Sequence, residues 1–352
     1  MESLPTITPE FPGCGGHLKA EPSHFIVEEL PLYVPGGSGP HLYVSLTREG
    51  WTTRQVVDAL AHLYGIHPRD VGYAGLKDRH ARCTQAFSLP SLDAEDAERI
   101  EQALPFQVHW ARRHTNKLKV GHLLGNRFRI RITGLDVPVE EALDRSRAIA
   151  AAIARRGVPN FYGAQRFGIG GANVAKGREV VLGRGPHRDR WLQRLLVSAY
   201  QSHLFNVYLG RRIALGLFDR LLRGDIAKKA DTGGMFQVTD AAQDQPRYQR
   251  GEIHFTGPIY GKKMWAAQDA AGDLEAGVLA DAGLTLEDFR RARTDGTRRP
   301  ARLWLPEIGL APGEDCLDLD FCLPKGAYAT VVLREFTKVE PAADLFDDDS
   351  ED

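Results

Sequence analysis

The chain has 352 residues and 43% hydrophobic content, enough to bury the core of one elaborate domain or two ordinary ones. Its formal charge of −1 is unevenly spread: without the seven acids after Lys338, 39 acidic residues face 45 basic ones, and a body of +6 permits a polyanionic partner without requiring one. There is no apolar run of about eighteen residues, no secretory start, no C-x-x-C among the four cysteines and no H-E-x-x-H among the histidines. These absences argue against a membrane span, a disulfide scaffold and a zinc site, so reduced thiols, no metal and a cytoplasmic location are expected.

In chain order, HFIVEEL and HLYVSL alternate apolar with polar residues and predict strands. Thr52 or Thr53 then caps a helix whose apolar positions Val56, Val57, Leu60, Ala61 and Tyr64 recur at helical spacing up to Gly65. VGYAGL and TQAFSL predict short strands on either side of Asp78. SLDAEDAERIEQAL suits a helix with an acidic first turn, FQVHW and NRFRIRITG return to strand alternation, and Val139 to Arg156 predicts a helix stopped by Gly157.

The character changes at VPNFYGAQRFGIGGANVAKG, where glycines and Pro159 break the periodic pattern and suggest a crossing between domains. Helices dominate beyond it. The strongest runs from Trp191 to Arg212, with Trp191, Leu195, Ala199, Tyr200, Leu204, Tyr208 and Leu209 expected as its inward stripe. After Arg302 the chain reads as strand again through YATVVLREF, so the last segment is expected to rejoin the first sheet and the middle to be an insertion. The acidic end, residues 341–352, reads as a solvated, disordered tail.

Three features could carry chemistry. Gly168-Ile-Gly-Gly171 is not a dinucleotide loop, because no strand precedes it and the third glycine position holds Asn173. In NRFRIRI, alternation sets Asn126, Phe128, Ile130 and Ile132 on one face and Arg127, Arg129 and Arg131 on the other; with Arg112, Arg113, Lys117 and Lys119 upstream, the arginines are either a solvated face or a stripe that tracks a phosphate backbone. The third is Asp78, set between Lys77 and Arg79 and preceded by Gly72, Ala74 and Gly75. Read alone it is a charged turn of little consequence; partly desolvated, with cations holding its charge, it would be a nucleophile or base.

Gly72-Tyr-Ala-Gly-Leu-Lys-Asp-Arg79, with Ala81, Thr84 and Gln85, resembles the central motif of the TruD family of tRNA pseudouridine synthases. Lys19-Ala-Glu-Pro-Ser-His-Phe-Ile-Val27, Gly125-Asn-Arg-Phe128, Val158 to Gly168, and Leu323 to Thr330 with Arg334-Glu335 resemble four further family motifs in the family's order, from Lys19 to Glu335. The resemblance implies an α+β fold: a pseudouridine synthase catalytic domain with a mixed, mostly antiparallel sheet, supplied by residues 1–157 and 304–340, and an inserted α/β TRUD domain over 158–303. It implies cofactor-free isomerisation of uridine to pseudouridine at position 13 in the D arm of tRNA, with tRNA as partner, no membrane and no obligatory protein partner. Asp78 takes the family's essential aspartate position. Lys19 and Lys77 are the candidates to keep it charged, Phe25 and Tyr328 match base-contacting aromatics, Asn126 matches a residue that bonds the uracil edge, and Phe128 packs beneath it. Arg127, Arg129, Arg131 and Arg166 are the candidate RNA contacts. Two rival readings are weaker: an RNA chaperone without turnover has no use for an intact K-D-R, and a metal nuclease lacks clustered carboxylates near Asp78.

Overall fold

A computed structural model describes residues 4–185 and 189–340. The acidic stretch 341–352 lies outside the described residues. The chain divides into two compact units. The first comprises Cys14–Ser146 and Ile308–Gly326; the second comprises Arg147–Glu307 with the described parts of the chain up to Gly13 and from Ala327 onward.

The first unit is built on a nine-stranded sheet. Its main path runs Gly309–Pro312, Cys316–Pro324, Leu123–Leu135, Phe25–Pro31, Arg82–Pro90, His41–Glu49, Gln107–His114. All neighbours along this path are antiparallel except Phe25–Pro31 and Arg82–Pro90, so the sheet is mixed and mostly antiparallel. Residues facing each other across strands share a side, and the register therefore sorts the sheet into two faces. Phe25, Val27 and Glu29 align with Ile130, Phe128 and Asn126, and Val27 also aligns with Cys83. Cys83 and Gln85 align in turn with Arg48 and Leu46. Glu28, Arg127, Arg129 and Arg131 lie on the opposite face.

Further along the first face, Leu42, Val44, Leu46, Phe87 and Leu89 join Val56, Val57 and Leu60 of helix Thr53–Tyr64 in one apolar core. That helix starts where the sequence predicts. Thr52 Oγ1 accepts from Gln55 N–H while Gln55 Oε1 accepts from Thr52 N–H, satisfying two donors that a helix start would otherwise leave open.

The second unit carries a four-stranded antiparallel sheet, ordered Met235–Gln237, Ile226–Lys229, Ile253–Ile259, Thr297–Pro300, with the long helix Arg190–Ala214 as its main support. Two expectations are corrected here. Trp191 and Leu195 are exposed, at 64% and 37%, and the buried stripe begins instead at Leu196 and Val197. The first turns extend past the packing partner: helix Ala172–Val181 meets this helix around Gly177, beside Leu196 and Tyr200.

YATVVLREF, read as strand, is helical over Ala329–Thr337. Val331 to Thr337 are all buried, and the β-branched Thr330, Val331 and Val332, which favour a strand locally, are overridden by packing in the second unit. The buried Glu335 carboxylate holds the helix in place by accepting from the backbone N–H of Ile7 and Thr8 and from Thr8 Oγ1.

Candidate active site

Asp78 lies in the loop between Gly72–Tyr73 and Arg82–Pro90, two strands paired through Gly72 with Ser88 and Tyr73 with Phe87. The loop is braced by polar side chains on the first face of the sheet and by Thr53 at the start of helix Thr53–Tyr64. Thr53 Oγ1 accepts from Lys77 N–H at 2.9 Å and donates to Gln85 Oε1 at 3.3 Å, while Gln85 Nε2 donates to the carbonyl of Gly75. Arg48, 1% exposed, donates through Nη2 to Thr53 Oγ1 and, at 3.4 Å, to the carbonyl of Lys77. The Cys83 thiol donates to the main-chain carbonyl of Asp78 at 3.7 Å; burial pushes its pKa up, which keeps it a neutral donor.

Two ion pairs cross this loop. Lys19 Nζ meets Asp78 Oδ2 at 3.0 Å, with the lysine side chain fully buried and the aspartate side chain 27% exposed. Lys77, expected beside Asp78, gives its ammonium to Glu29 Oε2 at 2.7 Å, and both of those side chains are buried. The loop is thus tied to the Phe25–Pro31 strand by Lys77, and its carboxylate is met by Lys19.

Lys19 carries a φ of 57°, a left-handed conformation that costs a residue with a Cβ on the order of 1–2 kcal/mol. Its ammonium lies 4.5 Å from the centroid of the Phe25 ring, a cation–π contact that adds to the aspartate pairing. Phe25 is 2% exposed, with Phe128 edge-on at 6.2 Å, and Phe128 stacks on Phe321. In this arrangement the buried Phe25 ring supports Lys19.

Asn126 shares the face of Phe25 and Glu29. Its Oδ1 is buried and has no hydrogen-bond partner among the described residues. A buried unpaired acceptor costs roughly 1–3 kcal/mol, so the site holds an unmet demand for a donor. Gly125 sets the local backbone, since a Cβ there would fall 2.0 Å from the carbonyl oxygen of Leu323 on the adjoining strand.

Tyr328 belongs to the second unit, where it caps helix Ala329–Thr337. Its ring meets Tyr162 edge-on at 6.1 Å, and a Cβ at Gly163 would lie 2.8 Å from its Cδ1, so glycine is required for the approach. Burial raises the pKa of its hydroxyl. Arg166, in the same unit, donates to Ser198 and Ser202.

The arginine stripe is occupied internally. Arg127 forms a bidentate pair with Asp320 at 2.7 and 2.8 Å, Arg131 does so with Asp318, and Arg129 lies 3.5 Å from Asp320 and 4.0 Å from Glu28. These guanidinium groups bridge neighbouring strands on the face opposite Asn126 and Phe128.

The bracing roles of Glu29, Arg48, Thr53 and Gln85 were not read from the sequence. The signal was there for three of them: Phe25-Val27-Glu29, Val44-Leu46-Arg48 and Gln85-Phe87-Leu89 each place one polar residue in an inward-facing apolar series. A charged side chain at such a position requires a buried partner.

Among the described residues no group of three His, Cys, Asp or Glu could hold a metal ion, and no helix is long and apolar enough to cross a membrane.

The mixed, mostly antiparallel sheet and the helices around it have the α+β fold of a pseudouridine synthase. The model of the family tRNA pseudouridine synthase D (TruD) matches residues 4–184 and 188–336, and the chain belongs to that family. It is 46% identical over 349 residues to tRNA pseudouridine synthase D of Anaeromyxobacter sp. (strain Fw109-5), covering 96% of this chain and 97% of that one. Identity to tRNA pseudouridine synthase D of Thermus thermophilus is 44% over 339 residues, covering 96% and 93%. A TruD crystal structure from Methanosarcina mazei superposes with a TM-score of 0.80 at 27% identity, over 96% of this chain and 97% of that one.

Proposed function

We propose that the protein isomerises uridine to pseudouridine in tRNA, at position 13 of the D arm, with Asp78 as the carboxylate that does the chemistry. The reaction breaks the N1–C1′ bond, turns the uracil, joins C5 to C1′, removes the proton from C5 and leaves one on N1, so that no atom is gained or lost. A carboxylate can serve the electron-poor C1′ and accept the C5 proton. The observation that carries this reading is the Lys19–Asp78 pair: a fully buried ammonium holds the carboxylate in a partly open position. Family membership along nearly the whole chain supports the same substrate class.

The other residues take supporting roles in this reading. Asn126 Oδ1 accepts the uracil N3–H, meeting a demand the protein leaves open. Phe25 and Phe128 hold Lys19 and the strand beneath it. Residues 14–146 and 308–326 act as the catalytic part, and the central segment as an RNA-holding insertion. The target uridine must leave its stack, at a cost of a few kcal/mol that contacts to the extruded base offset.

The test is to incubate unmodified tRNA carrying tritium at uridine C5 with the protein and to map pseudouridine. One new pseudouridine at position 13 with matching release of label is expected. Binding of tRNA without release of label would refute the reading.

A further inference from the structure

The second unit contains a cavity of about 1250 Å³. That exceeds the roughly 300–1,000 Å³ typical of a site for one small molecule. Arg190 and Arg194, on the first turns of helix Arg190–Ala214, line one wall; Arg291, Arg293, Arg298 and Arg299 line another, and among the described residues the only acid in the lining is Asp295.

These arginines fall into two groups. Arg298 is buried against Glu275 at 2.7 Å, Arg291 pairs with Asp288, and Arg299 reaches Asn160 while lying 4.0 Å from the Tyr162 ring centroid. Asp295 is taken by Lys262 and Lys263, each at 3.1 Å. Arg190, Arg194 and Arg293 are exposed and have no carboxylate partner among the described residues. Three unneutralised guanidinium groups around one opening constitute a demand for anionic charge, and their planar forks suit phosphate oxygens.

Arg293 adds an independent sign. It follows helix Leu286–Arg291 with a φ of 55°, the position where glycine is usual because a Cβ is strained there. Strain retained at a charged, exposed side chain points to use of that side chain. The cavity also reaches Tyr162, whose ring touches Tyr328, the base-contacting position implied by family resemblance.

We propose that this cavity is a phosphate site for the RNA backbone, with Arg190, Arg194 and Arg293 as its charged contacts. The proposal rests on the reading of the protein as a tRNA-modifying enzyme. Contacts of this kind hold and orient an RNA without reading its sequence.

The experiment compares the wild type with a triple variant, Arg190→Gln, Arg194→Gln and Arg293→Gln, and with the corresponding triple lysine variant. Affinity for unmodified tRNA is measured across a salt series, alongside steady-state pseudouridine formation. The glutamine variant is expected to lose about 2–3 from the slope of log affinity against log salt, at roughly 0.7–0.9 per phosphate contact, and its catalytic loss should fall on KM rather than kcat. The lysine variant should recover most of the slope. An unchanged slope and KM in the glutamine variant, with a wild type that makes pseudouridine, overturns the cavity proposal and leaves the functional reading standing. A wild type that makes none from tRNA removes both. A final arm titrates inorganic phosphate: binding lost in the glutamine variant with the RNA slope intact would make this a small-anion pocket and overturn the RNA proposal.

Discussion

The two faces of the first unit's sheet use the same strand alternation for opposite ends. On the face of Phe25, Glu29 and Asn126, charges are few and mostly buried: Lys19 meets Asp78, Lys77 meets Glu29, Arg48 donates to Thr53 and the Lys77 carbonyl, and an amide oxygen is left without a partner among the described residues. On the face of Arg127, Arg129 and Arg131, charges are dense, exposed and mutually neutralised by Asp318, Asp320 and Glu28. The contrast shows that arginines alternating along a strand can be paired within the sheet itself. What matters is whether the neighbouring strand supplies the counter-charge, as Cys316–Pro324 does here.

The largest effect expected from breaking this contrast is at Asp78. Asp78→Asn should fold and bind tRNA normally yet lose at least about a hundredfold in release of label from uridine C5, within the 10²–10⁴ typical of a positioned acid or base. Normal turnover by that variant would end the catalytic assignment. Next is the buried pair that tethers the loop. Lys77→Met leaves the buried Glu29 carboxylate without its counter-charge, and should cost on the order of 3–5 kcal/mol in chemical denaturation; a loss below about 1 kcal/mol would mean that the pair is not buried in solution.

Asn126→Ala separates stability from function on the same face. Because Oδ1 has no partner among the described residues, the variant should match or exceed wild-type stability while losing roughly tenfold or more in kcat/KM, the worth of one hydrogen bond to substrate. A clear drop in stability would show that the amide is satisfied inside the protein. The smallest effect belongs to the opposite face: replacing Arg127, Arg129 and Arg131 together by Gln should change stability by about 1 kcal/mol per pair at most and leave the salt slope of tRNA binding unaltered. A shallower slope would return these residues to the RNA-contact reading.

Much of this was legible in the chain. The helix at Thr53–Tyr64 follows from a capping threonine, a helical apolar period and a terminal glycine, and the split of Asn126 and Phe128 from the arginines follows from strand alternation alone. Asp78 stood out by its setting and by the motif it resembles. The helix at Ala329–Thr337 was not legible, because the β-branched run Thr330, Val331 and Val332 favours a strand locally and tertiary packing overrides it. Nor was the partner of Lys77, since its sequence neighbour is Asp78 while the carboxylate it meets, Glu29, lies 48 positions earlier.

The sequence by itself determined which segments form most of the strands and helices and which residue types were available for chemistry, because those follow from local period, capping and side-chain character. The tertiary structure alone decided which charge meets which. Lys19 rather than Lys77 meets Asp78, Asp318 and Asp320 pair with the arginine stripe, and Arg190, Arg194 and Arg293 are left without carboxylates among the described residues. The physical reason is that electrostatic pairing acts over a few ångströms in space, and strand register and loop closure bring such groups together irrespective of their separation along the chain.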